Sequence, residues 1–162
     1  HVLLMQLEIP LATVAAALTA ARKGGMITVL NPAPYKSLTE EILSLVDVIV
    51  PNETESAACG GTHALLSAGV VTVVTTLGEK GALINTASSE TNIAAHKVVA
   101  VDTVGAGDTV GAIIVEAMVQ DGILSLQGEG LKKVLTRAAA AAAITCSRAG
   151  AQPPYKHELA KL

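Results

Sequence analysis

Asp102-Thr-Val-Gly-Ala-Gly-Asp-Thr109 is the stretch on which the reading of this chain turns. The apolar run Val98–Val101 leads into it and Val110–Val119 leads out, so the local pattern predicts strand, glycine turn, helix. Gly105 and Gly107 carry no Cβ, which lets the backbone approach another group closely. The first N–H groups of the following helix lack intrahelical acceptors, and the helix dipole makes that end partly positive. Such a turn is an anion site, with phosphate the usual anion. Asp108 adds chemistry, because a carboxylate among those amides is placed to take a proton from an alcohol attacking the phosphate. A lone G-x-G-D is more often a helix cap than a catalyst, since Asp is a favoured N-cap. Here Asp102 upstream and Thr109 behind Asp108 make the spacing fuller.

Outward from this turn, apolar runs alternate with helical patterns. Val2–Leu7 reads as a strand that ends at Glu8. A helix follows over Leu11–Lys23, opened by Pro10 and stopped by Gly24-Gly25. Met26–Leu30 is the next strand, and Asn31-Pro-Ala-Pro34 has to be loop. A short helix fits Thr39–Leu45, a strand Val46–Val50, and a helix opens at Pro51-Asn-Glu-Thr-Glu55 and breaks at Gly60-Gly61. Val70–Thr76 is almost wholly β-branched and reads as a strand. Leu77–Gly81 is a turn, and Ala82–Asn85 and Ile93–Val101 are later strands, the second broken near His96. A loop spans Gly122–Gly130, and an Ala-rich helix covers Leu131–Ser147, with Ala138–Ala143 forming a flat face. The alternation predicts an α/β fold with a mostly parallel sheet covered on both faces. In such sheets ligands bind beyond the C-terminal strand ends. Glu8, Asn31, Asn52, Thr76 and the Asp102 loop all fall there.

Composition narrows the class. The 162 residues suffice for one domain, and 51% hydrophobic against 15% charged residues means a folded core. A formal charge of −3 argues against a nucleic-acid or anionic-membrane surface. No apolar run is long enough to span a bilayer, and no signal peptide is evident. Cys59 and Cys146 lie far apart without metal-ligand spacing and read as reduced thiols of a cytoplasmic protein. His63, His96 and His157 read as surface or packing residues. The absence of Phe and Trp, and a start at His1, point to a fragment.

The D-T-x-G-A-G-D-T string resembles the C-terminal signature of the PfkB carbohydrate kinases. Leu7-Glu-Ile-Pro10, Asn31-Pro-Ala-Pro34, Pro51-Asn-Glu-Thr-Glu55, Thr76-Leu-Gly-x-x-Gly81 and Gly150-Ala-Gln-Pro153 resemble the ribokinase branch of that family, in the same order. The resemblance covers nearly the whole chain but only the C-terminal half of such a kinase. It implies a ribokinase-like three-layer αβα fold and ATP-dependent phosphorylation of ribose at O5. It also implies Mg²⁺, a K⁺ activator, and a homodimer when the N-terminal sugar-binding half and lid are present. A PfkB kinase for another sugar or nucleoside is one alternative; a truncated, non-catalytic nucleotide-binding module is another.

Residue by residue, the resemblance makes Asp108 the catalytic base and Gly105, Ala106 and Gly107 an anion hole. It places Asn52 toward the ATP phosphates and makes Glu55 the organiser of the Mg²⁺ waters. Taken alone, Glu53 and Glu55 read as an ordinary first-turn acidic pair favoured by the helix dipole. Thr76, Leu77, Gly78, Glu79, Lys80 and Gly81 match a turn along the nucleotide, which alone is a plain β-turn. Ala139 matches a position against adenine. Glu8 matches a sugar contact, and alone is a solvated strand-end carboxylate. Asp102, Val104, Thr145, Arg148 and Gly150 match positions around a monovalent cation, several through backbone carbonyls. The chain also departs from the family. Val110 and Gly111 follow Thr109 without the usual aromatic. A one-residue deletion in a helix rotates everything beyond it by about 100°, so the apolar face of this helix is expected to leave the core.

Overall fold

The computed structural model describes residues 1–122 and 128–162. The chain divides into two units, His1–Thr76 with Leu83–Thr91, and Leu77–Ala82 with Asn92–Leu162.

The first unit is built from β1 (Val2–Met5), α1 (Leu11–Lys23), β2 (Ile27–Leu30), α2 (Glu40–Leu43), β3 (Val48–Ile49), α3 (Glu53–Ala58), α4 (Gly61–Ser67) and β4 (Thr72–Thr76). The sheet runs in chain order through β5 (Ala82–Asn85) and β6 (Glu90–Ile93). Strands β1 to β4 pair in parallel. Neighbouring parallel strands in chain order, joined by right-handed crossovers, place their connecting helices on one face of the sheet. The core reflects this: Leu30, Ile49 and Val73 from successive strands cluster with Val14 and Leu18 of α1, Ile42 and Leu43 of α2, and Leu65 of α4. The alternate residues Val29, Val48 and Val74 are buried as well, which is why these strands carry no polar alternation.

The second unit is dominated by α5 (Ala106–Asp121) packed on α6 (Gly128–Cys146), followed by the short α7 (Lys156–Leu159). Val110, Ile113, Ile114 and Met118 of α5 are buried, as are Leu131, Leu135, Ala138 and Ala141 of α6. The small alanines let the two helices approach closely. The Thr109 and Thr145 hydroxyls hydrogen-bond at 2.9 Å, and Arg137 pairs with Glu116 at 2.6 Å. The expected rotation of α5 off the core is therefore not seen. Positions 110, 113, 114 and 118 form one continuous helical stripe.

Two further expectations are corrected. Residues 98–101 are not a strand, and β6 ends at Ile93. The β-branched run has propensity without a ladder, and its recorded backbone bond goes from the Val101 N–H to the end of α6. The expected Gly122–Gly130 loop lies partly outside the described residues, and α6 already begins at Gly128.

Candidate functional site

In the first unit, the ends of the parallel strands gather the polar residues picked out by pattern. The Leu7 N–H donates to the Ala33 carbonyl at 2.9 Å and the Asn31 N–H to the Met5 carbonyl at 2.9 Å, so the segments after β1 and β2 run together with Glu8 exposed beside them. Asn52, past the end of β3, forms a parallel bridge with Thr76, the last residue of β4, and the Thr76 N–H donates to the Pro51 carbonyl at 2.8 Å.

Asn52 caps α3. Its Oδ1 accepts the Glu55 N–H at 2.8 Å, and Glu55 Oε2 accepts the Asn52 N–H at 2.9 Å. This reciprocal capping box gives the N-x-x-E spacing a local cause independent of any ligand. The same sequence signal was available beforehand, in an N-cap residue followed three positions later by Glu. One Glu55 oxygen is committed to the box, and the carboxylate keeps a second.

In the second unit, Leu77–Gly81 closes on itself. The Leu77 N–H donates to the Gly81 carbonyl at 2.7 Å, the Lys80 N–H to Leu77 at 3.1 Å and the Gly81 N–H to Gly78 at 3.0 Å. The turn is a single 3₁₀ turn over Gly78–Lys80, with Gly78, Glu79 and Lys80 exposed. Gly81 has φ 98°, and a Cβ there would lie 1.9 Å from the Ile93 carbonyl oxygen, so only glycine fits.

The 102–109 turn ends in a left-handed glycine, Gly105, at φ 80°, which is the N-cap of α5. Asp108 is thus the third residue of the helix rather than its cap, and it is solvent-exposed in the first turn. The cap reading of Asp108 is excluded, and the dipole favours a carboxylate there. The Ala106 N–H reaches the Thr103 carbonyl at 3.3 Å, while among the described residues no acceptor meets the Gly107 N–H. A Cβ on Gly107 would touch nothing within 4 Å. An amide without an acceptor, beside open space and at the positive end of a helix of 16 residues, is the geometry of an anion site.

The turn is fastened from behind. Asp102 Oδ1 accepts the Val104 N–H at 3.0 Å and Oδ2 accepts the Gly150 N–H at 2.9 Å. These bonds, the Val104 one first, hold the Asp102 carboxyl below the usual range. The Cys146 carbonyl accepts the Val101 and Asp102 N–H groups at 2.7 and 3.2 Å. Asp102, Val104, Thr145, Arg148 and Gly150 are thereby brought to one neighbourhood, with Thr145 wholly buried. The Gly150 carbonyl already accepts the Gln152 N–H at 2.8 Å and that of Thr145 the Arg148 N–H at 3.2 Å, leaving one lone pair on each. Ala139 is half-buried on α6, more than a turn before Thr145.

Arg148 is the residue whose side chain the pattern did not explain. Its guanidinium donates to the Pro153 carbonyl at 3.1 Å, pairs with Glu158, and lies 5.4 Å from the centre of the Tyr155 ring. The Arg148 hydrogen bond, and then the Tyr155 N–H, hold the Glu158 carboxyl below its usual range. No group of three or more His, Cys, Asp or Glu side chains that could hold a metal occurs among the described residues. No described helix is long and apolar enough to cross a membrane.

Comparison with known proteins places the chain in a family. Residues 2–158 match the model of the pfkB family carbohydrate kinases. The chain is 43% identical over 122 residues to the ribokinase of Staphylococcus aureus, covering 67% of this chain and 40% of that protein. It is 38% identical over 162 residues to the ribokinase of Haemophilus influenzae, covering 93% and 51%. It is also 32% identical over 168 residues to a deoxyribokinase of Salmonella typhi, covering 96% and 53%. The ribokinase of Arabidopsis thaliana, solved with ribose and ATP, superposes with a TM-score of 0.84 at 28% identity, covering 99% of this chain and 55% of that one. The chain spans about half the length of the curated relatives it matches.

Proposed function

This chain belongs to the pfkB family of carbohydrate kinases, and from that premise we propose that the whole protein transfers the γ-phosphoryl group of ATP to O5 of D-ribose. The observation that carries the proposal is the 105–108 turn, where an amide with no acceptor among the described residues, open space and an exposed carboxylate share the first turn of α5. The reaction asks the protein mainly to position groups and to stabilise charge. Asp108 takes the proton of the 5-hydroxyl as that oxygen bonds to the γ-phosphorus. The bond to the β-bridging oxygen breaks, and ADP leaves with the electron pair. The amides of Gly105 and Gly107 face the transferring phosphoryl oxygens, and the Ala106 N–H joins them by turning from the long 3.3 Å bond to Thr103. Asn52, Thr76 and Leu77–Gly81 line the nucleotide, Ala139 meets adenine, and Glu8 hydrogen-bonds ribose.

Two ions enter this reading. Mg²⁺ would be held through its waters by the second Glu55 oxygen, which suits an ion that keeps most of its waters and takes few carboxylates. It would neutralise phosphate charge. K⁺ would be held by Asp102 and the carbonyls of Val104, Thr145, Arg148 and Gly150. Cytoplasmic location, a homodimer, and the chain's place as the C-terminal half of a single kinase domain belong to the same proposal.

The test is ADP release by the full-length protein against ribose, deoxyribose, fructose and adenosine, with and without Mg²⁺, in K⁺ or Na⁺. Turnover with ribose above the others supports the proposal. The 32% identity to a deoxyribokinase favours one second reading, a kinase for another pentose, and a preference for deoxyribose would establish it. ATP binding by calorimetry without turnover on any sugar would instead establish a non-catalytic nucleotide module.

A further inference from the structure

We propose that a C-terminal hook, closed by Arg148 and Glu158, sets the geometry of the phosphate turn, making both side chains positioning residues for phosphoryl transfer. The inference rests on the kinase reading for its effect on rate, but its structural half stands apart from it. The segment 149–152 is exposed throughout. Burial therefore does not fix it. Yet it supplies two of the contacts that shape the turn. The Gly150 N–H is held by Asp102, whose other oxygen holds Val104, the residue before Gly105. Ala151 lies against the bare face of Gly105, where a Cβ would come within 3.0 Å of the Ala151 Cβ.

What fixes 149–152 is the bracket at either end. On one side α6 ends at Cys146. On the other, the Arg148 guanidinium folds the tail back, donating to Pro153, pairing with Glu158 and covering Tyr155. Glu158 in turn accepts the Tyr155 N–H at 2.8 Å and starts α7. Inside the bracket, Gln152 bonds back to Gly150 and Ala149 at 2.8 and 3.0 Å. Opening the bracket frees Gly150 and Ala151, and through Asp102 it frees the backbone that presents the Gly105–Gly107 amides. A small misplacement of such amides weakens their hold on the transferring group far more than it weakens ground-state binding.

The experiment compares Glu158→Ala and Glu158→Gln with wild type, in the full-length protein. Glu158→Ala is expected to lower kcat on the order of 10- to 100-fold with the KM for sugar nearly unchanged. The neutral hydrogen-bonding Glu158→Gln should recover most of that loss, and Tm should move by no more than about 3 °C, as for one surface ion pair. Amide exchange at Val104 and Gly150 should speed up in Glu158→Ala while exchange in β2 to β4 stays the same. A kcat equal to wild type, or unchanged exchange at Val104 and Gly150, overturns the proposal. Should wild type itself lack sugar-dependent turnover, the kinase reading fails, and the exchange experiment alone still decides whether the hook controls the turn.

Discussion

Replacing Gly105 and Gly107 by alanine, one at a time, separates the shape of the phosphate turn from its emptiness. Gly105 has φ 80°, and its missing Cβ would meet the Ala151 Cβ at 3.0 Å and Cα at 3.3 Å. A non-glycine residue in the left-handed region costs about 1–2 kcal/mol, and the tight contact adds to it. For a chain of this size each kcal/mol moves Tm by about 2–4 °C, so Gly105→Ala should lower Tm by roughly 2–8 °C. Gly107 is different. It is helical, without positive φ, and an added Cβ would meet nothing within 4 Å. There alanine should be neutral or stabilise by about 0.4–1 kcal/mol, through a stiffer unfolded chain and better helix propensity. The new methyl group nonetheless projects into the space claimed for the phosphoryl group. Gly107→Ala should therefore hold or raise Tm while weakening ATP binding. Differential scanning fluorimetry with and without ATP reads both effects. If Gly105→Ala matches wild type in Tm, or if Gly107→Ala binds ATP undiminished, the reasoning about this turn is wrong.

Other outcomes follow from the same structure. Asn52→Ala should cost about 1 kcal/mol through loss of the α3 cap, whereas Asn52→Ser keeps an N-cap acceptor and should restore stability; if serine also leaves the KM for ATP unchanged, the Asn52 amide has no part in nucleotide binding. Gly81→Ala, whose Cβ would sit 1.9 Å from a carbonyl oxygen, should abolish soluble expression or lower Tm more than Gly105→Ala does. Burial first, then the nearby Glu55 and Asp102 charges, pushes the Cys59 and Cys146 thiols above their ordinary 9.0. Iodoacetamide should thus label them slowly at pH 7.5 and faster only at higher pH, as read by mass spectrometry. Because the folded Glu158 carboxyl sits below its ordinary 4.5, its pairing contributes fully above that value and is lost as pH falls below it. The Tm gap between wild type and Glu158→Gln should be flat from pH 8 to 5 and close under pH 4.5.

Much of this was legible in the chain because the cues were local. The Gly24-Gly25 stop and Pro10 fixed α1 to its observed ends. The β-branched runs without polar alternation announced strands whose alternate residues are buried as well. The glycines before Asp108 marked the left-handed turn that opens α5. What stayed hidden depended on partners that no local pattern names. Val98–Val101 has every local mark of a strand, yet a strand exists only with a neighbour, and Val99 is 86% exposed. Arg148 was read only as a position around a cation, because no local pattern says that its side chain reaches Pro153, Tyr155 and Glu158. The Asn52–Glu55 spacing was legible twice over, as a capping box and as a kinase motif, and only coordinates show the box formed.

Asp108→Asn in the full-length protein is the most direct measurement of the central claim. The amide keeps the size of the side chain but cannot take a proton. Sugar-dependent ADP release should fall by about 10²–10⁴-fold, with the affinity for ATP, measured by calorimetry, within a few-fold of wild type. Turnover at the wild-type rate in this variant would contradict the assignment of Asp108 as the base, and with it the chemistry built on this turn.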